Sequence, residues 1–205
     1  IVLEQNLTNI SQVIGQPIHG ILSANVFNGY LIEIDYRKHL IILHPHPWEV
    51  PKDYTAMDIQ VYKGKPYLKT KIQLSHSAFQ DVNLLLDTGA SLSLLMYRDS
   101  SSHMKLPDKV IPGYLGSGLG GMLTGYVGRI QRINMDSFIL YDVFTHILDI
   151  ESDIGKNEKL VKNGLLGNQI LEKFSIIFDF QHAKVYLKAN KNFDYDMPAI
   201  SLTVI

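Results

Sequence analysis

Leu84 to Ser91 reads LLLDTGAS, and this is where the chain can best do chemistry. An apolar run delivers Asp87 at its end, and Thr88–Gly89 then turns the chain sharply. Gly89 has no side chain to keep a ligand from the backbone. A carboxylate presented from the floor of a β-domain suits acid–base work better than solvation. Asp-x-Gly turns are also common on surfaces, but the three leucines argue against a surface turn here. A second feature is the density of glycine in Gly113–Gly128, seven of the fifteen in the chain. Within it Gly116, Gly118 and Gly121 spell G-x-G-x-x-G. A dinucleotide fingerprint needs a helix next, whereas MLTGYVGRIQRINM reads as a strand. A glycine-rich hairpin tip able to close over a ligand fits better. The third feature is GLLG, Gly164 to Gly167. His44-x-His46 would place two imidazoles on one strand face, a possible metal pair. Each is followed by Pro, no third ligand is evident, and a linker is the better reading, so no metal and no cofactor is expected. Tyr114 and Tyr126 lie among these glycines and could touch a ligand, but are equally ordinary as exposed hairpin tyrosines. Arg98, Asp99 and Ser100 to Ser102 read as a solvated loop.

The elements that must hold these residues are strands. Tyr67–Leu74 alternates apolar with polar residues, the period of a half-buried strand. Ser75–Phe79 supplies a turn, and Asp81–Leu86 runs into the core. Tyr30–Tyr36, His39–His44, Phe174–Phe180 and Ala183–Lys188 pair as hairpins across short polar turns. Helical signals are few and short; Asn168 is placed to cap one turn or two through Lys173. The fold class is therefore all-β, or mostly β with one or two short helices.

Composition narrows the function classes. At 205 residues, 46% hydrophobic and 19% charged, the chain can build a core. With 19 Lys plus Arg against 20 Asp plus Glu, the net charge of −1 points to no nucleic-acid partner. No cysteine is present, which excludes disulfides, thiol catalysis and Cys-ligated zinc. No apolar run approaches the ~18 residues of a membrane span.

The chain also repeats itself. His19–His44 aligns without a gap on Asn163–Lys188 at an offset of 144 residues. Gly20 meets Gly164, Leu22 meets Leu166, Asp35 meets Asp179, and Ile41 meets Val185. The surviving strands of the first unit should then carry open edges. An upstream piece, a second copy or another chain is expected to cover them. The Pro-rich HPHPWEVP, His44–Pro51, reads as the join.

In order, LLLDTGAS, SGLGGMLTGYVG and NGLLGNQILEKFSIIFDF resemble the retropepsin-like aspartic proteases, over about Tyr54–Asn190. The doubled form is most similar to bacterial two-lobed aspartyl protease-like proteins, often followed by a PDZ domain. The resemblance implies an acid-protease barrel: the tail of one lobe over 1–50, a nearly complete second lobe over 51–197, and the start of a C-terminal extension over 198–205. It implies that Asp87 is the catalytic carboxylate and that Thr88 supports the loop through a hydrogen bond to the opposite lobe. Gly89, Ala90 and Ser91 would complete the loop. Gly118, Leu119, Gly120 and Gly121 would form a flap over a peptide or protein substrate, and Gly164, Leu165, Leu166 and Gly167 a structural motif. It further implies an exported or periplasmic location. The first unit departs from the pattern, with Ser23 where the second has Gly167. Asp35 and Asp179 read as structural residues at strand ends. The second carboxylate that peptide hydrolysis needs is thus expected from a missing N-terminal half-lobe or from a second subunit. A non-catalytic relative binding extended chains by strand addition, and a pure assembly module, are the other readings.

Overall fold

The computed structural model describes residues 4–27, 29–75, 77–98, 105–118, 121–150, 160–191 and 193. Twelve strands form one continuous sheet, ordered β2-β1-β11-β12-β3-β4-β5-β10-β6-β9-β8-β7, with β4 also pairing β8. The strands are β1 Tyr30–Asp35, β2 Leu40–Pro45, β3 Thr55–Tyr62, β4 Lys65–Gln73, β5 Phe79–Leu86, β6 Leu94–Arg98, β7 Val110–Gly118, β8 Gly121–Met135, β9 Phe138–Asp149, β10 Gly164–Leu166, β11 Phe174–Asp179 and β12 Lys184–Ala189. The β4–β8 pairing closes β4-β5-β10-β6-β9-β8 into a ring, which removes the free edges these strands would otherwise expose. Thr70 locks the closure by donating its hydroxyl proton to the Asn134 carbonyl.

The expected alternation on β4 is seen: Leu68, Thr70 and Ile72 are buried and Lys69 and Lys71 exposed. Inside the ring lie Leu84, Leu86, Leu94, Met96, Ile130, Ile133, Leu140, Ile147 and Leu166, all within the buried core. Burying each such side chain contributes roughly 1.5–3 kcal/mol, so this layer dominates the stability of the ring.

Outside the ring, β2-β1-β11-β12 form an antiparallel sheet that continues onto β3. In the β1–β11 register Ile32 pairs with Phe178, Glu33 with Ile177 and Ile34 with Ile176. Ile177 is the residue 144 positions beyond Glu33, and Ile176 and Phe178 are those beyond Ile32 and Ile34. The two aligned segments therefore meet reciprocally about Glu33–Ile177, as two elements related by a local two-fold axis do. Element bounds repeat at the same offset: β1 matches β11, β2 matches β12, and the 3-10 turn Ala24–Phe27 matches helix α2, Asn168–Leu171. The turns match as well. Asp35 Oδ1 accepts from the Arg37 and Lys38 amides, and Asp179 Oδ1 from the His182 amide. Both aspartates are turn caps, as expected of strand-end residues.

The expected one or two short helices are borne out by two among the described residues, and only the cap of the second needs correcting. An 11-residue helix, α1 Glu4–Ile14, precedes the sheet; Leu7, Ile10 and Ile14 at helical spacing, with Gly15 at φ 74° after it, carried that signal. The N-cap of α2 is Gly167 rather than Asn168, and it makes no side-chain capping bond. No helix among the described residues is long and apolar enough to cross a membrane.

Candidate active site

Strand β5 ends at Leu86 and hands the chain to Asp87, so the geometry of β5 sets the position of the carboxylate. Strand β10 fixes β5 from the side. It lies parallel to β5, with Leu84, Leu85 and Leu86 opposite Gly164, Leu165 and Leu166, and antiparallel to β6. A three-residue strand wedged between two others needs close backbone approach. A Cβ on Gly164 would lie 2.0 Å from the Leu95 carbonyl oxygen, and one on Gly167 2.2 Å from that of Leu92. Both glycines of GLLG are therefore required by space, while Leu166 fills the core.

The loop after β5 is held by backbone bonds. The Asp87 amide donates to the Leu166 carbonyl (3.0 Å) and the Ala90 amide to the Asp87 carbonyl (3.3 Å). The Gly89 amide donates to Asp87 Oδ1 at 2.9 Å, which orients the carboxylate. On the far side, the Gly167, Asn168 and Gln169 amides donate to the carbonyls of Ser93, Ala90 and Leu92 at 2.8, 2.7 and 3.2 Å. The loop is thus stitched to the start of α2.

Asp87 is partly exposed, Thr88, Gly89 and Ser91 are exposed, and Ala90 is half-buried. The Asp87 carboxylate accepts its hydrogen bond from the Gly89 amide. Its charge is felt nearby: burial raises the Tyr97 phenol above its usual range, and Tyr67 and then Asp87 push it the same way.

Several supporting residues carry no sequence motif. Asn163 Oδ1 accepts from the Asn83 amide (2.8 Å), and Asn83 Nδ2 donates to the Val161 carbonyl (3.0 Å). This pair sets the β5–β10 register four residues before Asp87. Ser93 is fully buried and donates to Gln169 Oε1 at 2.6 Å, while Gln169 Nε2 donates to the Ser91 carbonyl. The only sequence hint was an asparagine interrupting the apolar run of β5.

Gly113, Gly116, Gly118, Gly121, Gly125 and Gly128 lie on the hairpin β7–β8, with Gly118 opposite Gly121 and an irregularity between Tyr114 and Gly116. Leu119 and Gly120 lie outside the described residues, as do 198–205 and Asp99–Ser102. A strand, β8, follows the G-x-G-x-x-G pattern, so the dinucleotide context is missing. Arg98 is not part of a solvated loop. It closes β6 and makes a paired bond to Asp149, Nε to Oδ1 at 2.6 Å and Nη2 to Oδ2 at 2.8 Å. Its guanidinium also lies 5.5 Å from the Tyr126 ring centroid, so Tyr126 anchors the hairpin base while Tyr114 is exposed. His44 and His46 part company: His44 stacks on Trp48 and bonds Glu33 Oε2 at 2.7 Å, while His46 faces His182.

A carboxylate at a strand end, oriented by the amide two residues on and open on one side, is suited to act on a water molecule together with a second acid. No curated protein matches the chain. A family model described as aspartyl protease matches residues 75–170, a span that takes in Asp87, the β7–β8 hairpin and GLLG. Over that segment the chain is similar to the aspartyl protease family.

Proposed function

We propose that the chain is the second lobe of a two-lobed aspartic endopeptidase, together with the tail of the first. Asp87 is one of two carboxylates that share a proton around a water. Two acids about 3 Å apart cannot both ionise; the charged one removes a proton from water as it attacks the peptide carbonyl, and the protonated one donates toward the carbonyl oxygen. The Gly89 amide orients Asp87 for this, and hairpin β7–β8 with Gly118–Gly121 serves as the flap over an extended substrate.

One observation carries the reading: apolar residues of the first segment are exposed where their aligned mates are buried. Leu22, Val26 and Ile41 are 69%, 62% and 60% exposed, against 1%, 0% and 0% for Leu166, Ile170 and Val185. Tyr30 and Leu43 are likewise exposed, and Phe174 and Leu187 buried. In the second segment the barrel ring covers these positions. Residues 20–22 align with β10, yet among the described residues no strands aligned with the flanking β5 and β6 are present. An apolar face of this kind calls for a cover, and a second ring related by the local two-fold axis at Glu33–Ile177 would supply one. Such a ring, contributed by polypeptide upstream of this chain, brings the second acid opposite Asp87. A symmetric dimer is disfavoured, because β1 already occupies the edge of β11 that a second copy would pair with.

Ser23 in place of Gly167 favours a second reading, in which the first lobe has lost the tight loop packing and the protein binds extended chains by strand addition without cleaving them. Cleavage of an unstructured polypeptide at mildly acidic pH, by the protein with its upstream polypeptide, separates the two. Peptidase activity that disappears in Asp87→Asn with the fold intact supports catalysis. Binding of the polypeptide with no cleavage supports the binding relative.

A further inference from the structure

His46, Asp179 and His182 come from two distant parts of the sequence, and each brings one donor atom within 4.8 Å of the other two. We propose that they form a binding site for a zinc-type divalent cation, which ties the segment after β2 to the β11–β12 turn. Neither Asp87 nor a second carboxylate enters this argument, so it stands or falls apart from the peptidase reading.

The turn itself needs only two of the three. Asp179 caps it, Oδ1 on the His182 amide and Oδ2 on His182 Nδ1 at 2.8 Å. The aligned turn does the same job with a permanent cation: Lys38, the counterpart of His182, places Nζ 3.1 Å from Asp35 Oδ2. At Asp179 that fixed charge is replaced by an imidazole, and a second imidazole, His46, is brought edge-on to the first at 5.5 Å between ring centroids. The turn has no use for His46.

Asp179 is 3% exposed, so its charge is poorly solvated and needs a counter-charge. Lys184 feels Asp179, but its ammonium is engaged with Asp58 Oδ1 at 2.7 Å. A divalent cation supplies what the lysine supplies in the sister turn. Two imidazole nitrogens and one carboxylate oxygen make a borderline donor set, suited to Zn²⁺ rather than Ca²⁺ or Mg²⁺. At metal–ligand distances of about 2.0–2.2 Å, tetrahedral donors lie about 3.4 Å apart, within reach by small ring rotations. His182 is exposed, so an ion can enter and keep water as its fourth ligand.

The test is titration of the chelator-treated chain with Zn²⁺ by calorimetry and with Co²⁺ by visible absorption. One ion per chain, a tetrahedral Co²⁺ spectrum and a raised unfolding midpoint are expected. His46→Ala and His182→Ala should each weaken binding at least about tenfold, and His44→Ala should leave it unchanged. Both test residues lie outside the core, and circular dichroism checks their folding. Failure of the chain to bind, or binding that survives His46→Ala, overturns the site.

Discussion

Gly167→Ala tests the physical reason for GLLG. The new Cβ would lie 2.2 Å from the Leu92 carbonyl oxygen and 2.9 Å from that of Ala90. Real Cβ atoms do not come within 3.0 Å of such an atom, so loop and α2 must part by at least 0.8 Å. Both neighbours are backbone and cannot swing aside. The parting stretches the bonds from the Gly167, Asn168 and Gln169 amides, now 2.8, 2.7 and 3.2 Å, toward or beyond the limit of hydrogen bonding. At about 1 kcal/mol each, their loss costs about 3 kcal/mol. Gly113 is the control, because a Cβ there meets nothing within 4 Å; Gly113→Ala should change stability by about 0.5 kcal/mol or less. Urea unfolding of the three proteins measures the costs. Hydrogen exchange at Asn168 and Gln169 should quicken in Gly167→Ala alone. Under the proposed peptidase reading, a displacement of the Asp87 loop of this size should also lower the activity of the completed two-lobed protein about 100-fold. A Gly167→Ala loss below about 1 kcal/mol, or equal costs at both glycines, would refute the claim that close approach selects this residue.

Leu22→Ser should alter the stability of the chain alone by about 0.5 kcal/mol or less, since Leu22 is exposed, but should cost about 2–3 kcal/mol if, as proposed, an upstream lobe covers it. Equal effects in the two proteins would remove the argument for a covering lobe. Burial lowers the pKa of His146 from 6.5, and among the described residues its buried Nδ1 has no hydrogen-bond partner. Below about pH 6.5 the unfolded chain therefore binds the proton first, so stability is intact above that pH and falls as pH drops through the lowered value. The urea midpoint should be lower at about pH 5 than at about pH 7. His146→Leu should shrink that difference; an unchanged difference would exclude His146 as its source.

Strand periodicity made much of the fold legible. The hairpins flanking Tyr36–His39 and Phe180–Ala183 were readable because apolar and polar residues alternate up to a turn-forming Asp. Their pairing with each other was not, since no local pattern encodes which edge meets which. Strand β10 was too short to show any period, and its place came only from the two carbonyls that GLLG must pass. Helix α1 was overlooked among β-branched residues, although the spacing of Leu7, Ile10 and Ile14 held the signal. In the candidate site, Asp87 stood out by its own motif. Asn83, Ser93, Asn163 and Gln169 did not, because each acts through a partner some 76–80 positions away. Arg98 was misread because its partner Asp149 lies 51 residues on.

The central claim is that Asp87 faces a second acid. A high-resolution crystal structure of this chain together with its upstream polypeptide measures that directly, as the distance from the Asp87 carboxylate to its nearest acidic neighbour. The account predicts an aspartate from a second barrel about 3 Å away, with one water held between the two. An Asp87 left open to bulk solvent, or turned onto a lysine or arginine with no groove above it, would contradict it.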